Sequence, residues 1–155
     1  MRQSNWRYEI LSNPIVGYAR SSEPRIFGNG IRVLVVDDEP SICKALTMAL
    51  QRAGYDAISA ETGEAALAIV RGEHVDVMLI DLRLKDMRGD VVFEVAAATQ
   101  PQLRKQTLFM TGDITEMAEK LVAACKCNLL RKPFDLREMS DAVAALLPRA
   151  HDQTA

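Results

Sequence analysis

The chain has 155 residues, a length that fits one compact domain with some additional chain at an end. Hydrophobic residues make up 48% of it and charged residues 26%, too apolar a balance for a disordered chain and enough for a core that needs no disulfide or metal as a staple. A net charge of -2 leaves no electrostatic footprint for nucleic acid or an anionic membrane, and no apolar run approaches the roughly 18 residues of a membrane span.

Residues 1–30 mix Pro14, Pro24, Gly17, Gly28 and Gly30 with Ser and Asn and show no clear period, so they read as an extension or linker. They hold no continuous apolar signal core, and a cytoplasmic location is expected. Ile31–Val36 (IRVLVV) is a short β-branched run, the pattern of a strand buried on both faces. Pro40 then occupies a first-turn helix position, Ile42, Ala45, Leu46, Ala49, Leu50 and Ala53 follow at helical spacing, and Gly54 closes the helix. Tyr55–Ser59 is predicted as the second strand, and Thr62 caps a helix running through Val70. Val75–Ile80 (VDVMLI) is the third strand and leads into Asp81; a helix from about Asp90 to Ala98 stops before Pro101.

Thr107–Met110 is the fourth predicted strand. Asp113 and Glu116 have the spacing of a capping box before Ile114, Met117, Ala118, Leu121 and Val122. Asn128–Leu130 lies in a fifth strand. Asp135 and Glu138 repeat the capping-box spacing before Leu136, Met139, Val143, Leu146 and Leu147, and Pro148 ends the helix. Five strand–helix units in alternation predict an α/β fold: a five-stranded parallel sheet, flavodoxin-like (βα)5 with strand order 2-1-3-4-5 and helices on both faces. The domain is expected over residues 31–148, with a short tail at 149–155.

Three cysteines, Cys43, Cys125 and Cys127, without a secretory leader, are expected as reduced thiols. Cys125-x-Cys127 lacks the second Cys/His pair that a metal site needs, since His74 and His151 stand alone.

In open parallel sheets ligands bind beyond the carboxyl ends of the strands. Those ends carry Asp37, Asp38 and Glu39 after the first strand, Asp81 after the third, Thr111 after the fourth, and Lys132-Pro133 after the fifth. Taken singly, each has a plainer role: a helix cap at Asp37–Asp38, a turn at Asp81, a loop hydroxyl at Thr111, a solvated Lys132. Their common placement at one rim argues for joint use. Converging carboxylates repel one another unless a cation or shared protons relieve them. Hard oxygen ligands in an incomplete cage suit Mg2+, which keeps waters and shares a substrate phosphate. Lys132 and Thr111 supply partners for phosphoryl oxygens, and Asp81 can serve as the nucleophile that forms an acyl phosphate.

The segments VLVVDDEP (33–40), LIDLRL (79–84), FMTGD (109–113) and RKPF (131–134) together resemble the receiver domain family of bacterial response regulators over about residues 31–148. The resemblance implies that Asp81 is the phosphorylated aspartate and that Asp38 binds Mg2+ directly. Asp37 would bind it directly or through water, and the backbone carbonyl of Arg83 would complete the protein's share of the shell. It further implies that Lys132 pairs with the phosphoryl group, that Thr111 moves to hydrogen-bond it, and that the Lys132–Pro133 peptide is cis. The implied donor is a sensor histidine kinase or a histidine phosphotransfer protein. The output would pass through the fourth helix, fifth strand and fifth helix to an unidentified output protein, with a homodimer through that face allowed. Neither nucleic acid nor membrane is expected as a direct partner.

Two departures stand out. The family's usual Met-Pro-Gly stretch is Leu84-Lys85-Asp86 here, although Gly89 matches the later glycine. The aromatic residue usual three positions before the lysine is Leu129, so the signal is expected to run through the loop after the fourth strand and the helix near Asp113. FMTGD and the short tail look similar to receivers of hybrid sensor kinases, although a stand-alone regulator fits as well. No room is expected for a helix-turn-helix unit. A Mg2+-dependent phosphatase of the haloacid dehalogenase type would need a second Asp where Arg83 stands. A flavin binder would need a Gly- and hydroxyl-rich loop where Asp37-Asp38-Glu39 stand. A degenerate receiver that acts by binding alone is the remaining alternative.

Overall fold

The computed structural model describes residues 30–113 and 115–148. The expected extension 1–30, Gly30 aside, and the tail 149–155 lie outside the described residues, as do Ile114 and the side chain of Met117. The elements alternate as predicted: β1 (Arg32–Val36), α1 (Pro40–Arg52), β2 (Asp56–Ala60), α2 (Gly63–Gly72), β3 (Val77–Asp81), α3 (Gly89–Thr99), a 3-10 turn (Pro101–Arg104), β4 (Thr107–Thr111), α4 (Glu116–Cys125), β5 (Asn128–Arg131) and α5 (Leu136–Leu146). All strands pair in parallel, in the order β2-β1-β3-β4-β5.

The two-residue period of a strand divides the core between the two sheet faces. Leu34, Val36, Met78, Ile80 and Phe109 face one way, where Ala66, Leu67 and Val70 of α2 and Val92, Phe93 and Ala96 of α3 cover them. Phe93 meets Phe109 edge to face with ring centroids 5.3 Å apart. Val33, Val35, Val77, Leu79, Leu108 and Met110 face the other way, onto Leu46 and Leu50 of α1 and Met139 and Val143 of α5. With both faces covered, β1 and β3 carry no polar alternation and read as unbroken apolar runs.

Boundaries differ from the sequence reading where a side chain or a helix end takes a backbone group. Tyr55 donates its N–H to Leu50 O at the end of α1, so β2 begins at Asp56. The Val75 N–H goes to the Gln100 side chain, and β3 begins at Val77 and runs through Asp81. The expected capping box at Asp113 and Glu116 is corrected: Thr115 caps α4, accepting the Ala118 N–H, while the Asp113 carboxylate pairs with Arg83. The Asp135–Glu138 capping box forms in full, and Gly54 follows α1 with a φ of 93°, a conformation that glycine adopts without strain.

The structure joins Cys125 to Cys127 across Lys126, with their Cα atoms 5.3 Å apart. This corrects the expectation of reduced thiols at these two positions; among the described residues only the buried Cys43 is free. Cysteine count alone says nothing about such a pairing, which follows from the left-handed Lys126 that turns the chain from α4 into β5. No helix among the described residues is long and apolar enough to cross a membrane.

Gly89 ties α3 to the end of β3. Its N–H donates to Leu82 O at 3.0 Å, and a Cβ there would collide with the Asp81 carbonyl oxygen and stand 2.9 Å from Leu82 Cα. Both obstacles are backbone. Gly89→Ala is therefore expected to lower stability by about 2 kcal/mol, read as an unchanged slope and a lower midpoint in urea unfolding.

Candidate functional site

Register and pleat assemble the site. Val36 pairs with Ile80, so Asp37 and Asp81 emerge side by side from β1 and β3, the two central strands. Asp81 pairs with Met110 and Thr111 with Arg131, which sets Thr111 one step beyond Asp81 and Lys132 one step beyond β5. Asp37, Asp81 and Lys132 share the strand parity of Val35, Leu79 and Leu130, and all project toward the α1 and α5 side. The Lys132 backbone N–H donates to Thr111 O at 2.8 Å, and the Lys132–Pro133 peptide is cis, as expected.

Asp37 is fully buried, Asp81 and Thr111 are nearly so, and Asp38 is half-buried. One carboxylate oxygen from each of Asp37, Asp38 and Asp81 lies within 4.8 Å of the other two. The Lys132 ammonium bridges two of them, donating to Asp37 Oδ2 and to Asp81 Oδ2, each at 2.7 Å. The remaining oxygens take backbone donors: Asp37 Oδ1 accepts the Glu39 N–H at 2.9 Å, and Asp81 Oδ1 accepts the Arg83 N–H at 2.8 Å. Asp81 thus does make the turn contact that its type alone suggested, and it joins the cluster as well. Glu39, not Asp37 or Asp38, stands at the N-cap of α1.

The electrostatics follow from burial. Desolvation raises the Asp37 pKa above the ordinary carboxylate value, against the hydrogen bonds from Lys132 and Glu39, and the charge of Asp81 adds to the rise. Burial works to lower the Lys132 pKa, but its hydrogen bonds to Asp37 and Asp81 and their charges outweigh it and hold the value above that of an ordinary lysine. Beneath the cluster, Cys43 donates its S–H to Asp37 O at 3.1 Å; burial pushes its pKa up to about 11, which leaves it a thiol at neutral pH.

Three carboxylates set against one ammonium leave an excess of negative charge. All the donors are oxygens, the ligand type that suits Mg2+ better than it suits softer metals. Asp37, Asp38 and Asp81 fit that ion. On the other side, the Thr111 hydroxyl is engaged locally, donating to Asp113 O at 2.9 Å and accepting from Asp113 N at 3.2 Å. The exposed side chains of Arg83 and Asp113 form a 2.7 Å ion pair at the mouth, joining the loop after β3 to the loop after β4. A groove beside the site is lined by Leu82, Arg88, Thr111, Thr115, Ala118 and Leu121. Leu129 is half-buried and packs into the core on the α2–α3 side.

Sequence reasoning missed one contact nearby. The Asp86 carboxylate accepts the N–H groups of Gly63 and Glu64 at the start of α2. Its partners stand 23 and 22 residues upstream, so no local spacing announces it.

Removing the Lys132 ammonium leaves buried carboxylates without their partner. Lys132→Ala is expected to cost about 3 kcal/mol at neutral pH. Because the folded pKa of Lys132 is raised, its contribution is complete below the ordinary lysine value and is lost as the pH rises through the higher folded value. The stability difference between parent and variant in urea titrations is therefore expected to narrow above about pH 10.4.

Comparison with known proteins shows the family of the chain. The family model described as "Response regulator receiver domain" matches residues 33–144. A probable transcriptional regulatory protein, TcrX, of Mycobacterium tuberculosis is 32% identical over 125 residues, covering 81% of this chain and 53% of that protein. The alkaline phosphatase synthesis transcriptional regulatory protein PhoP of Bacillus subtilis is 34% identical over 120 residues, covering 77% of this chain and 49% of that one. The chain thus spans about half the length of these curated relatives. Among solved structures, the chemotaxis protein CheY4 of Vibrio cholerae superposes with a TM-score of 0.69 at 27% identity, covering 76% of this chain and 98% of that one. A CheY-like receiver domain protein from Methanospirillum hungatei gives 0.70 at 24% identity, covering 74% and 91%, a likeness of fold alone.

Proposed function

This chain belongs to the response regulator receiver domain family and so to phosphorelay signalling, and from that premise we propose that Asp81 is its phospho-acceptor. The observation that carries the reading is the Lys132 ammonium held at 2.7 Å from both Asp37 and Asp81, with Asp38 completing the oxygen cluster. Membership of the family implies a histidine kinase as the source of the phosphoryl group; the immediate donor is the phosphohistidine of such a kinase or of a histidine phosphotransfer protein. A cytoplasmic location follows from this reading.

In the transfer, an Asp81 carboxylate oxygen attacks phosphorus, the P–N bond of the phosphohistidine breaks, and the imidazole leaves with the bond's electrons and is protonated as it departs. Asp37, Asp38, Asp81 and the Arg83 carbonyl would hold Mg2+, which would supply charge neutralisation at the phosphoryl oxygens. Lys132 exchanges a carboxylate partner for a phosphoryl oxygen, since its ammonium already stands at Asp81. The Arg83 N–H on Asp81 Oδ1 fixes the orientation of the carboxylate.

The product carries a charge of about -1.5 to -2 where a single carboxylate stood. Thr111 then leaves the Asp113 backbone for a phosphoryl oxygen, which draws the loop between β4 and α4 inward. With Leu129 in place of a ring at the β5 position, that loop and α4 carry the signal to an output protein. The Arg83–Asp113 pair flanks the site and is placed to tune the lifetime of the acyl phosphate. The role is signalling and not turnover of a substrate. A phosphatase of the haloacid dehalogenase type would need a general acid where the Arg83 side chain points to Asp113.

Incubation with Mg2+ and a small acyl-phosphate donor is expected to add about 80 Da, one phosphoryl group, to the intact mass of the parent and nothing to Asp81→Asn. A folded parent that gains no mass, with metal dependence and product lifetime both checked, would instead support a degenerate receiver that acts by binding alone.

A further inference from the structure

Between Asp81 and α3 the chain runs from Leu82 to Arg88 without a proline, so no ring fixes its backbone. The base of this loop is fastened: Arg83 N to Asp81 Oδ1, an antiparallel bridge between Arg83 and Arg88, and Gly89 N to Leu82 O. Its tip has another anchor. Asp86 Oδ1 accepts the Gly63 N–H at 2.9 Å and Asp86 Oδ2 accepts the Glu64 N–H at 3.0 Å, so both carboxylate oxygens are committed to the first turn of α2. Met87 packs so close to the same turn that a Cβ on Gly63 would meet its Cγ at 2.5 Å.

The anchor is a firm one. α2 is fixed to the sheet through Ala66, Leu67 and Val70, and the positive end of a helix favours a carboxylate. Hydrogen bonds from Gly63 and Glu64 hold the Asp86 pKa below the ordinary aspartate value, so the clamp stays charged at neutral pH. Helix capping alone does not require it, because Thr62 already caps α2 by accepting the Ala65 N–H at 3.0 Å. What Asp86 adds is a link between a rigid helix and the loop that carries Arg83.

We propose that Asp86 is a positioning residue for the metal shell: by clamping the loop tip to α2 it fixes the direction in which the Arg83 carbonyl faces the carboxylates. This rests on the reading above, in which that carbonyl is a Mg2+ ligand. The plainer role for Asp86 is stabilisation of α2, and Thr62 provides the control, since it acts on the same helix end without touching the loop.

The test compares the full-length parent, Asp86→Ala and Thr62→Ala by Mg2+ calorimetry and by thermal melting. Both variants are expected to melt at lower temperature. Asp86→Ala is expected to weaken Mg2+ binding about tenfold, with Thr62→Ala unchanged and Asp86→Asn, which keeps one acceptor oxygen, between parent and alanine variant. At saturating Mg2+ the rate of phosphoryl uptake by Asp86→Ala is expected to return close to that of the parent, as positioning through the metal requires. Equal Mg2+ affinity in Asp86→Ala and Thr62→Ala would overturn the proposal and leave Asp86 a helix cap. Absence of saturable Mg2+ binding in the parent would overturn the metal reading and this proposal with it.

Discussion

Like charge held at short range is the constraint on which this molecule turns. The parallel ladder forces Asp37 and Asp81 out of adjacent central strands, Asp38 follows, and their oxygens lie within 4.8 Å. Left alone they would push the carboxyl ends of β1 and β3 apart or give up their charge. The Lys132 ammonium, placed just beyond β5, offsets that repulsion through a 2.7 Å ion pair with each of Asp37 and Asp81. One ammonium does not neutralise three carboxylates. That excess of negative charge is what the proposed Mg2+ site, and the phosphoryl group it would receive, rest on.

The surrounding structure holds this charge cluster in register. Both sheet faces are covered by helices, which pack the strands that end in Asp81 and Thr111 and the strand that leads into Asp37. Beyond that point the chain is fastened by discrete contacts: Glu39 N–H on Asp37, Arg83 N–H on Asp81, Gly89 against the Asp81 carbonyl, Asp86 on α2. The loop after β4 is held differently. The buried Thr111 hydroxyl is engaged two residues along its own chain by Asp113, and the Arg83–Asp113 pair lies in solvent, contacts that the proposed movement of Thr111 would exchange. In the proposed switch, firm contacts around the carboxylates and exchangeable contacts around Thr111 would separate metal holding from the response to a phosphoryl group.

Much of this was legible in the sequence because it depends on local periodicity and on strand ends. The runs IRVLVV and VDVMLI declare doubly covered strands, and residues that follow strands by one or two positions must share a rim. Asp135 and Glu138 announce a capping box that forms in full. The failures share a cause. Asp113 has the spacing of a cap, but Arg83 draws its carboxylate away and Thr115 takes the capping role. Val75 has the apolar character of a strand, but a glutamine from beyond α3 claims its N–H. Asp86 looks like a mere departure in a loop until its partners on α2 are known, and Cys125 and Cys127 meet through a left-handed turn that residue types do not reveal. In each case a contact distant in sequence, or a backbone conformation, outweighs the local pattern.

The central claim is that the charge excess at the rim is a divalent-cation site built by Asp37, Asp38 and Asp81. It is tested most directly by urea unfolding of the full chain as a function of Mg2+ concentration, beside the double variant Asp37→Asn, Asp38→Asn. Because an ion that binds only the folded state stabilises it by mass action, the parent's unfolding free energy is predicted to rise with the logarithm of Mg2+ above its dissociation constant while the double variant stays flat. A parent indifferent to Mg2+, or a double variant that responds equally, would contradict the account.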